Sequence, residues 1–205
     1  MSIKRNILLV ILFIGIISCK AQTIVPIYGG SSVEYNENYY LKDVNNDYDK
    51  YQGIWKYNGG GLDLTITFFI KQMVQDSDGL YRDFLCGSFL FRSDGILLIE
   101  DILEEESNLD FYEYNLVLGR FIDRNFKPQC PSCPIDKLRP MGKIYHPEIE
   151  DVSAAIVLYY SVILEPFQET MKLTLWQNSP RIITPDRTDP YDFPIPDGDY
   201  IFVKQ

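Results

Sequence analysis

Histidine is almost missing: His146 is the only one in 205 residues. A hydrolytic triad or a histidine-built metal centre has at most one member to draw on, and no Gly-x-Ser-x-Gly occurs anywhere in the chain. Cysteine is scarce, with four. Positive charge is in deficit, 19 Lys and Arg against 29 Asp and Glu, a formal net charge of −10. A surface of that sign repels phosphate backbones, so nucleic acid is not an expected partner. Long apolar runs are lacking too. Ile7 to Ile17 is the longest apolar stretch, and its eleven residues fall short of the ~20 that a spanning helix needs. What the chain has in quantity is aromatic residues, with 15 Tyr and 12 Phe. Together with β-branched residues these favour strands.

The N-terminus reads as a processing segment, residues 1–18. Lys4 and Arg5 form a basic n-region, Ile7 to Ile17 an apolar core, and Ile16-Ile17-Ser18-Cys19 closes it. This closing tetrapeptide resembles a bacterial lipobox. The resemblance implies cleavage before Cys19, lipid on its sulfur, and anchoring of the mature chain to a membrane. Lys20 stands where an aspartate would retain a lipoprotein at the inner membrane, so the expected site is the outer membrane. Cleavage leaves 187 residues, one ordinary domain. It also removes two of the 19 basic residues, leaving 17 against 29, or −12.

Residues 19–38, with Gly29-Gly30-Ser31-Ser32, read as a flexible tether, and 39–205 as a β domain. Leu62, Leu64, Ile66, Phe68 and Ile70 alternate with Asp63, Thr65, Thr67, Phe69 and Lys71, the pattern of a half-buried strand. Asn58 to Gly61 and Ser93-Asp94-Gly95 read as hairpin turns. Tyr81 to Phe91, with a bend expected at Gly87, Ile96 to Leu103, Tyr112 to Ile122, Ala154 to Leu164, Met171 to Leu175 and Tyr200 to Val203 continue the series. The expectation is about eight strands, mostly antiparallel, without a long amphipathic helix. Two proline-rich stretches, Phe126 to Glu150 and Thr184 to Gly198, read as ordered loops packed on the domain.

Gly53-Ile54-Trp55 opens the strand series and resembles the lipocalin start, in which the glycine frees the entry turn and the tryptophan plugs the closed end of an up-and-down barrel. The resemblance implies an all-β, single antiparallel barrel whose interior is filled or holds one small ligand. The arginine that lipocalins set over the tryptophan has only Lys204 in its place. Asn38 to Asp47, running into Tyr51 to Tyr57, is similar to the start of a family of small bacterial lipoproteins catalogued as domain of unknown function 6705. That likeness implies the localisation and a single β domain, and no activity.

Chemistry-bearing residues are few. Cys130-Pro131-Ser132-Cys133 has the spacing of a small disulfide, of a redox pair, or of half a metal site, and no βαβ context favours the redox use. Cys86 lies within a strand pattern, as a buried small apolar residue does. Asp43, Asn45, Asp47 and Asp49 repeat the first spacings of a calcium loop, but Tyr48 replaces its glycine and Ile54 its bidentate glutamate, so a solvated turn is the plainer reading. Glu104-Glu105-Glu106 reads as a solvated loop. Tyr28, Tyr35, Tyr39, Tyr40, Tyr48 and Tyr51 crowd the region before the first long strand, where they suit either binding or packing. No cofactor motif and no catalytic constellation is found. The expectation is a non-enzymatic envelope lipoprotein whose barrel binds a small apolar ligand, in a cavity lined by Leu64, Phe68, Leu116 and Leu173, or a protein partner. A filled-barrel interaction module and a thiol-redox protein are the alternatives. Cys19→Ala is expected to abolish labelling by radioactive fatty acid and to leave the precursor uncut. Acylation of that variant would overturn the lipobox reading.

Overall fold

The computed structural model describes residues 22–28, 38–76, 78–101, 113–127, 129–131, 133–134, 137–177 and 192–205. The segment 1–18, Cys19, Lys20, Tyr35, Glu104-Glu105-Glu106, Tyr112 and the start of the second proline-rich stretch lie outside them. Eleven strands are described: β1 Thr23–Pro26, β2 Tyr39–Lys42, β3 Gly53–Gly59, β4 Leu62–Gln75, β5 Tyr81–Ser93, β6 Ile96–Asp101, β7 Leu116–Ile122, β8 Arg139–Tyr145, β9 Ser153–Leu164, β10 Phe167–Trp176 and β11 Gly198–Lys204. One 3-10 turn, Asp49–Tyr51, precedes β3.

The architecture follows from the alternation. Strands such as β4 have one apolar parity, and eight strands curl until their inward faces meet. β3, β4, β5, β7, β8, β9, β10 and β11 pair in chain order, each antiparallel to the next, and β11 pairs back onto β3. The ring is a closed eight-stranded antiparallel barrel of the up-and-down kind. One stave is split: β7 pairs with Leu85 to Gly87 of β5, and β6 pairs with Phe89 to Ser93 on the same edge. β1 and β2 add a parallel flap beside the base of β5, with Tyr40 opposite Tyr81 and Thr23 opposite Tyr39. The chain therefore enters β1 at the end of the barrel where β3 begins and β11 finishes, the Trp55 end.

The core fills the lumen. Trp55, Leu64, Ile66, Phe68, Leu85, Phe89, Phe91, Leu116, Leu118, Ile144, Ile156, Leu158, Met171, Leu173, Leu175 and Phe202 belong to one contiguous buried cluster. At the Trp55 end it is covered by Leu41, Tyr48 and Tyr51, and toward the far end it takes in Phe193 and Ile195 from the segment before β11. That last segment is held by Gln177, whose amide nitrogen donates to the Phe193 carbonyl (3.1 Å) and whose amide oxygen accepts from the Phe193 N–H (3.0 Å). A second, smaller cluster lies on the outer wall, with Phe69, Phe84, Cys86, Tyr114 and Val117.

Several expectations need correction. β8 lies inside a stretch expected to be loop. Ile144 is in the lumen cluster, and two residues apart from it on the same parity stand Gly142 and Pro140, which carry no period-two signal. Thr23–Pro26 forms a strand where a tether was expected, because it pairs with β2. Tyr114 does not share the face of Leu116 and Leu118 but packs on the outer wall against Phe69, with centroids 6.1 Å apart. Gly87 does not bend β5. The register runs through it, and the irregularity falls between Lys71 and Val74 of β4.

Gly142 is where β8 crosses β7 most closely. A Cβ there would stand 1.9 Å from the Val117 carbonyl oxygen and 2.6 Å from the Leu118 Cα, and backbone, unlike a side-chain end, cannot turn aside. Gly142→Ala is expected to cost more than the ~1–3 kcal/mol of ordinary overpacking and to abolish a cooperative urea transition. Gly198→Ala, whose new methyl would meet nothing closer than 3.9 Å, is expected to stay within about 0.5 kcal/mol of the parent.

Candidate functional site

The Trp55 end gathers most of the residues that the sequence singles out. Gly53 enters β3 at φ +104°, in the region that favours glycine. Two residues on, Trp55 is fully buried, and its indole N–H donates to the Tyr51 carbonyl at 2.6 Å. Lys204 stands opposite Trp55 in the β3–β11 pairing and brings its ammonium 5.4 Å from the indole centroid, a cation–π contact where the lipocalin pattern has an arginine. The same ammonium lies 3.2 Å from Glu169, which also accepts from the Tyr160 hydroxyl at 2.7 Å. Tyr160 presents its edge to Trp55. Burial, helped by the Glu169 carboxylate, pushes the Tyr160 hydroxyl up to about 12, and that hydrogen bond, with Lys204, lowers Glu169. The arrangement closes the barrel and holds every polar atom that it uses.

Beside it lies an acid–tyrosine network that sequence reasoning missed. Asp83 of β5 is buried and accepts from the Tyr40 hydroxyl (2.6 Å), the Asp43 amide (2.9 Å) and the Met73 amide (3.1 Å). Asp43 is buried as well and accepts from the Tyr28 hydroxyl and the Tyr48 amide. Burial first, then the neighbouring carboxylate, raises the Tyr28 and Tyr40 hydroxyls far above their ordinary range. The network ties the β1–β2 flap to the barrel. It also spends the carboxylates of the calcium-like spacing: Asp43 faces inward and Asp47 pairs with Lys50 at 3.0 Å. Among the described residues no group of three or more His, Cys, Asp or Glu is placed to hold a metal ion. One signal was available: Asp83 is a lone carboxylate in the apolar run of β5.

Leu64, Phe68, Leu116 and Leu173 stand together in the lumen and are 0–2% exposed. A void wide enough for a ligand beside them would leave part of their surface accessible, and almost none is. Three clefts lie elsewhere. One of about 340 Å³ sits beside the Trp55 end between Lys50, Tyr51, Lys137, Leu138, Tyr160 and Val162. One of about 420 Å³ lies at the far end around Tyr114, His146 and Ile149. One of about 400 Å³ runs along the outer wall over Phe84, Gly119 and Lys143.

Cys130 and Cys133 are joined as a disulfide, and both are buried. Cys86 is a buried free thiol whose pKa burial pushes up to about 12, so thiolate is rare at neutral pH. The His146 Nδ1 accepts from the Glu148 and Ile149 amides at 3.1 Å each, which makes it the cap of a turn.

The chain belongs to the family of unknown function DUF6705, whose profile matches residues 3–205. No curated protein and no solved structure matches it. Membership covers the barrel and the segment before it alike, and it assigns no chemistry to the Trp55 end.

Trp55→Ala would open the packed end of the lumen and is expected to cost ~3–5 kcal/mol, out of the ~5–15 kcal/mol that holds a domain together. Lys56, its exposed neighbour on the strand, is expected to tolerate alanine within about 0.5 kcal/mol. Denaturant melts of both variants check the pair. A Trp55→Ala melt like that of the parent would remove the plug role.

Proposed function

We propose that this family member is a lipid-anchored envelope protein, not an enzyme, and that it acts through the outside of a filled barrel, by contact with other envelope components. The observation that carries the reading is the lumen. Its walls, Trp55, Leu64, Phe68, Leu116, Leu173 and Phe202 among them, are 0–2% exposed, so an eight-stranded barrel of the size that could hold one small ligand has spent that space on its own side chains. The anchoring half rests on Lys4, Arg5, the apolar run to Ile17 and the lipobox ending at Cys19. The thiol alternative loses ground because Cys130 and Cys133 are paired and buried and the Cys86 thiol is held protonated. His146, committed to two backbone amides, offers no free general base.

Native mass spectrometry of the full chain, extracted from bacterial envelopes in mild detergent, tests both halves at once. The expected mass is that of a polypeptide starting at an acylated Cys19, with no small molecule released on denaturation. A stoichiometric small molecule released on unfolding would sink the filled-barrel half. A chain that still begins at Met1, or that lacks acyl mass, would sink the anchor.

A further inference from the structure

We propose that the tip of the β9–β10 hairpin is a second membrane contact, in which Leu164 and Phe167 enter the apolar edge of the bilayer that holds the lipid on Cys19. The inference rests on the anchor reading for its distance constraint and on the fold for everything else.

Leu164 and Phe167 are 77% and 73% exposed, more than any other large apolar side chain among the described residues. They are direct cross-strand partners, so they form one patch, which Val162 (39%) extends on the same face, while Ile163 (46%) is exposed on the other. The sequence reads Ala154 to Leu164 as covered throughout, but cover ends partway. β8 accompanies β9 only as far as Val157, and β11 accompanies β10 only from Thr170 onward. The last turn of the hairpin is a free two-stranded ribbon with its apolar residues in the open. Such a ribbon is marginal in water, and burying the patch against hydrocarbon is the favourable alternative.

Direction identifies the occupant. β9 runs toward the Trp55 end and passes it, since Tyr160 lies level with Trp55 and Leu164 is four residues further. β1 enters at that same end, because Thr23 pairs with Tyr39 and Tyr40 with Tyr81 at the base of β5. Only three residues separate Cys19 from Thr23, so the Cα that bears the lipidated side chain can stand no more than about 14 Å from the strand. A bilayer holding that lipid faces the hairpin tip. Behind the tip is the cleft lined by Lys50, Lys137, Tyr51 and Tyr160. Ammonium and phenol groups one step back from an apolar tip match the headgroup layer above the acyl chains. The turn after β4 at the same end carries Asp78 and Asp76, the latter paired to Arg82 at 2.5 Å, and such groups do not enter hydrocarbon. The far end carries its own exposed trio, Ile96, Leu97 and Leu98, which points away from the anchor and serves as an internal control.

The test uses the full, processed chain in vesicles of phosphatidylethanolamine and phosphatidylglycerol. An environment-sensitive fluorophore is placed on Leu164→Cys, and separately on Leu97→Cys; both sites are exposed, and Cys86 is too buried to react. The expected result is a blue shift and loss of most fluorescence to acyl-chain nitroxides at position 164, with neither at 97. Equal quenching at the two positions overturns the docking. The mass of the N-terminal peptide, read on the same sample, separates the two claims. Acylated Cys19 with an unquenched 164 label leaves the anchor standing and the docking wrong. An unacylated chain with a quenched 164 label leaves the docking standing and the anchor wrong. An unacylated chain with an unquenched label overturns the docking as well.

Discussion

Closure of the ring is the constraint on which the other contacts depend, and it is made by very little backbone. β11 meets β3 at only two register pairs, Lys56 with Val203 and Trp55 with Lys204, extended by the Gln205 amide donating to the Ile54 carbonyl at 2.9 Å. The β5–β7 contact is three pairs long. A two-pair ladder cannot by itself oppose the entropy of holding a C-terminal strand in place. Side chains supply the difference. Trp55 lies on the seam, Lys204 covers its ring from the partner strand, and Glu169 on β10 fixes Lys204 in turn. Three neighbouring strands are thus joined through one indole and one ammonium. Because the lumen cluster spans the ring, each inward residue also draws the seam shut.

The parts of this fold legible in the sequence are those in which one face is wet. β4 declares itself because Asp63, Thr65 and Thr67 alternate with Leu64, Ile66 and Phe68. Alternation fades where both faces are covered. β5 carries Leu85 and Phe89 inward and Phe84 and Cys86 toward a second cluster, so its parity is ambiguous and Asp83 is easily taken for a solvent residue. β8 is hidden for the opposite reason, since Pro140 and Gly142 occupy lumen parity with no apolar bulk to mark it. The Trp55 plug is readable from Gly-x-Trp, and Lys204 from its distance to the C-terminus. Glu169 and Tyr160 are not, because their role depends on a hairpin register that local patterning does not encode.

The tyrosines before β3 show how composition leaves the use of a residue open. Six of them in a short span fit a binding surface or a packed cap equally well. Tyr48 stacks on Phe121 at 4.7 Å and donates to the Leu118 carbonyl, and Tyr51 is 1% exposed beneath the 3-10 turn. Tyr28 and Tyr40 satisfy two buried carboxylates. Phenols do this better than aliphatic side chains could, because each covers apolar area with its ring and neutralises a buried acceptor with its hydroxyl. The flap and the plug are therefore one device. It seals the barrel end with rings and lets the chain pass from an edge strand to the first barrel strand without leaving Asp43 or Asp83 unpartnered.

Among the described residues the barrel is covered at one end by Leu41, Tyr48 and Tyr51 and lined toward the other by Phe193 and Ile195, with Leu64 and Leu173 packed between them. On the outside the chain has not spread its apolar side chains evenly. The two exposed groups of neighbouring residues lie at hairpins that outrun their neighbours, Ile96 to Leu98 at one end and Val162 to Phe167 at the other, while Ile24, Met73 and Ile201 are exposed on other strands. Both segments have a strand partner on one side and open edge on the other, a combination that soluble proteins suppress with charge or proline unless the edge is used. The β9–β10 turn does contain Glu165 and Pro166, but they separate Leu164 from Phe167 in sequence and not in space, since the two side chains pair across the strands. Charge and proline at the turn blunt strand addition while leaving the apolar pair free. That pattern suits contact with a fluid apolar phase better than pairing with another strand.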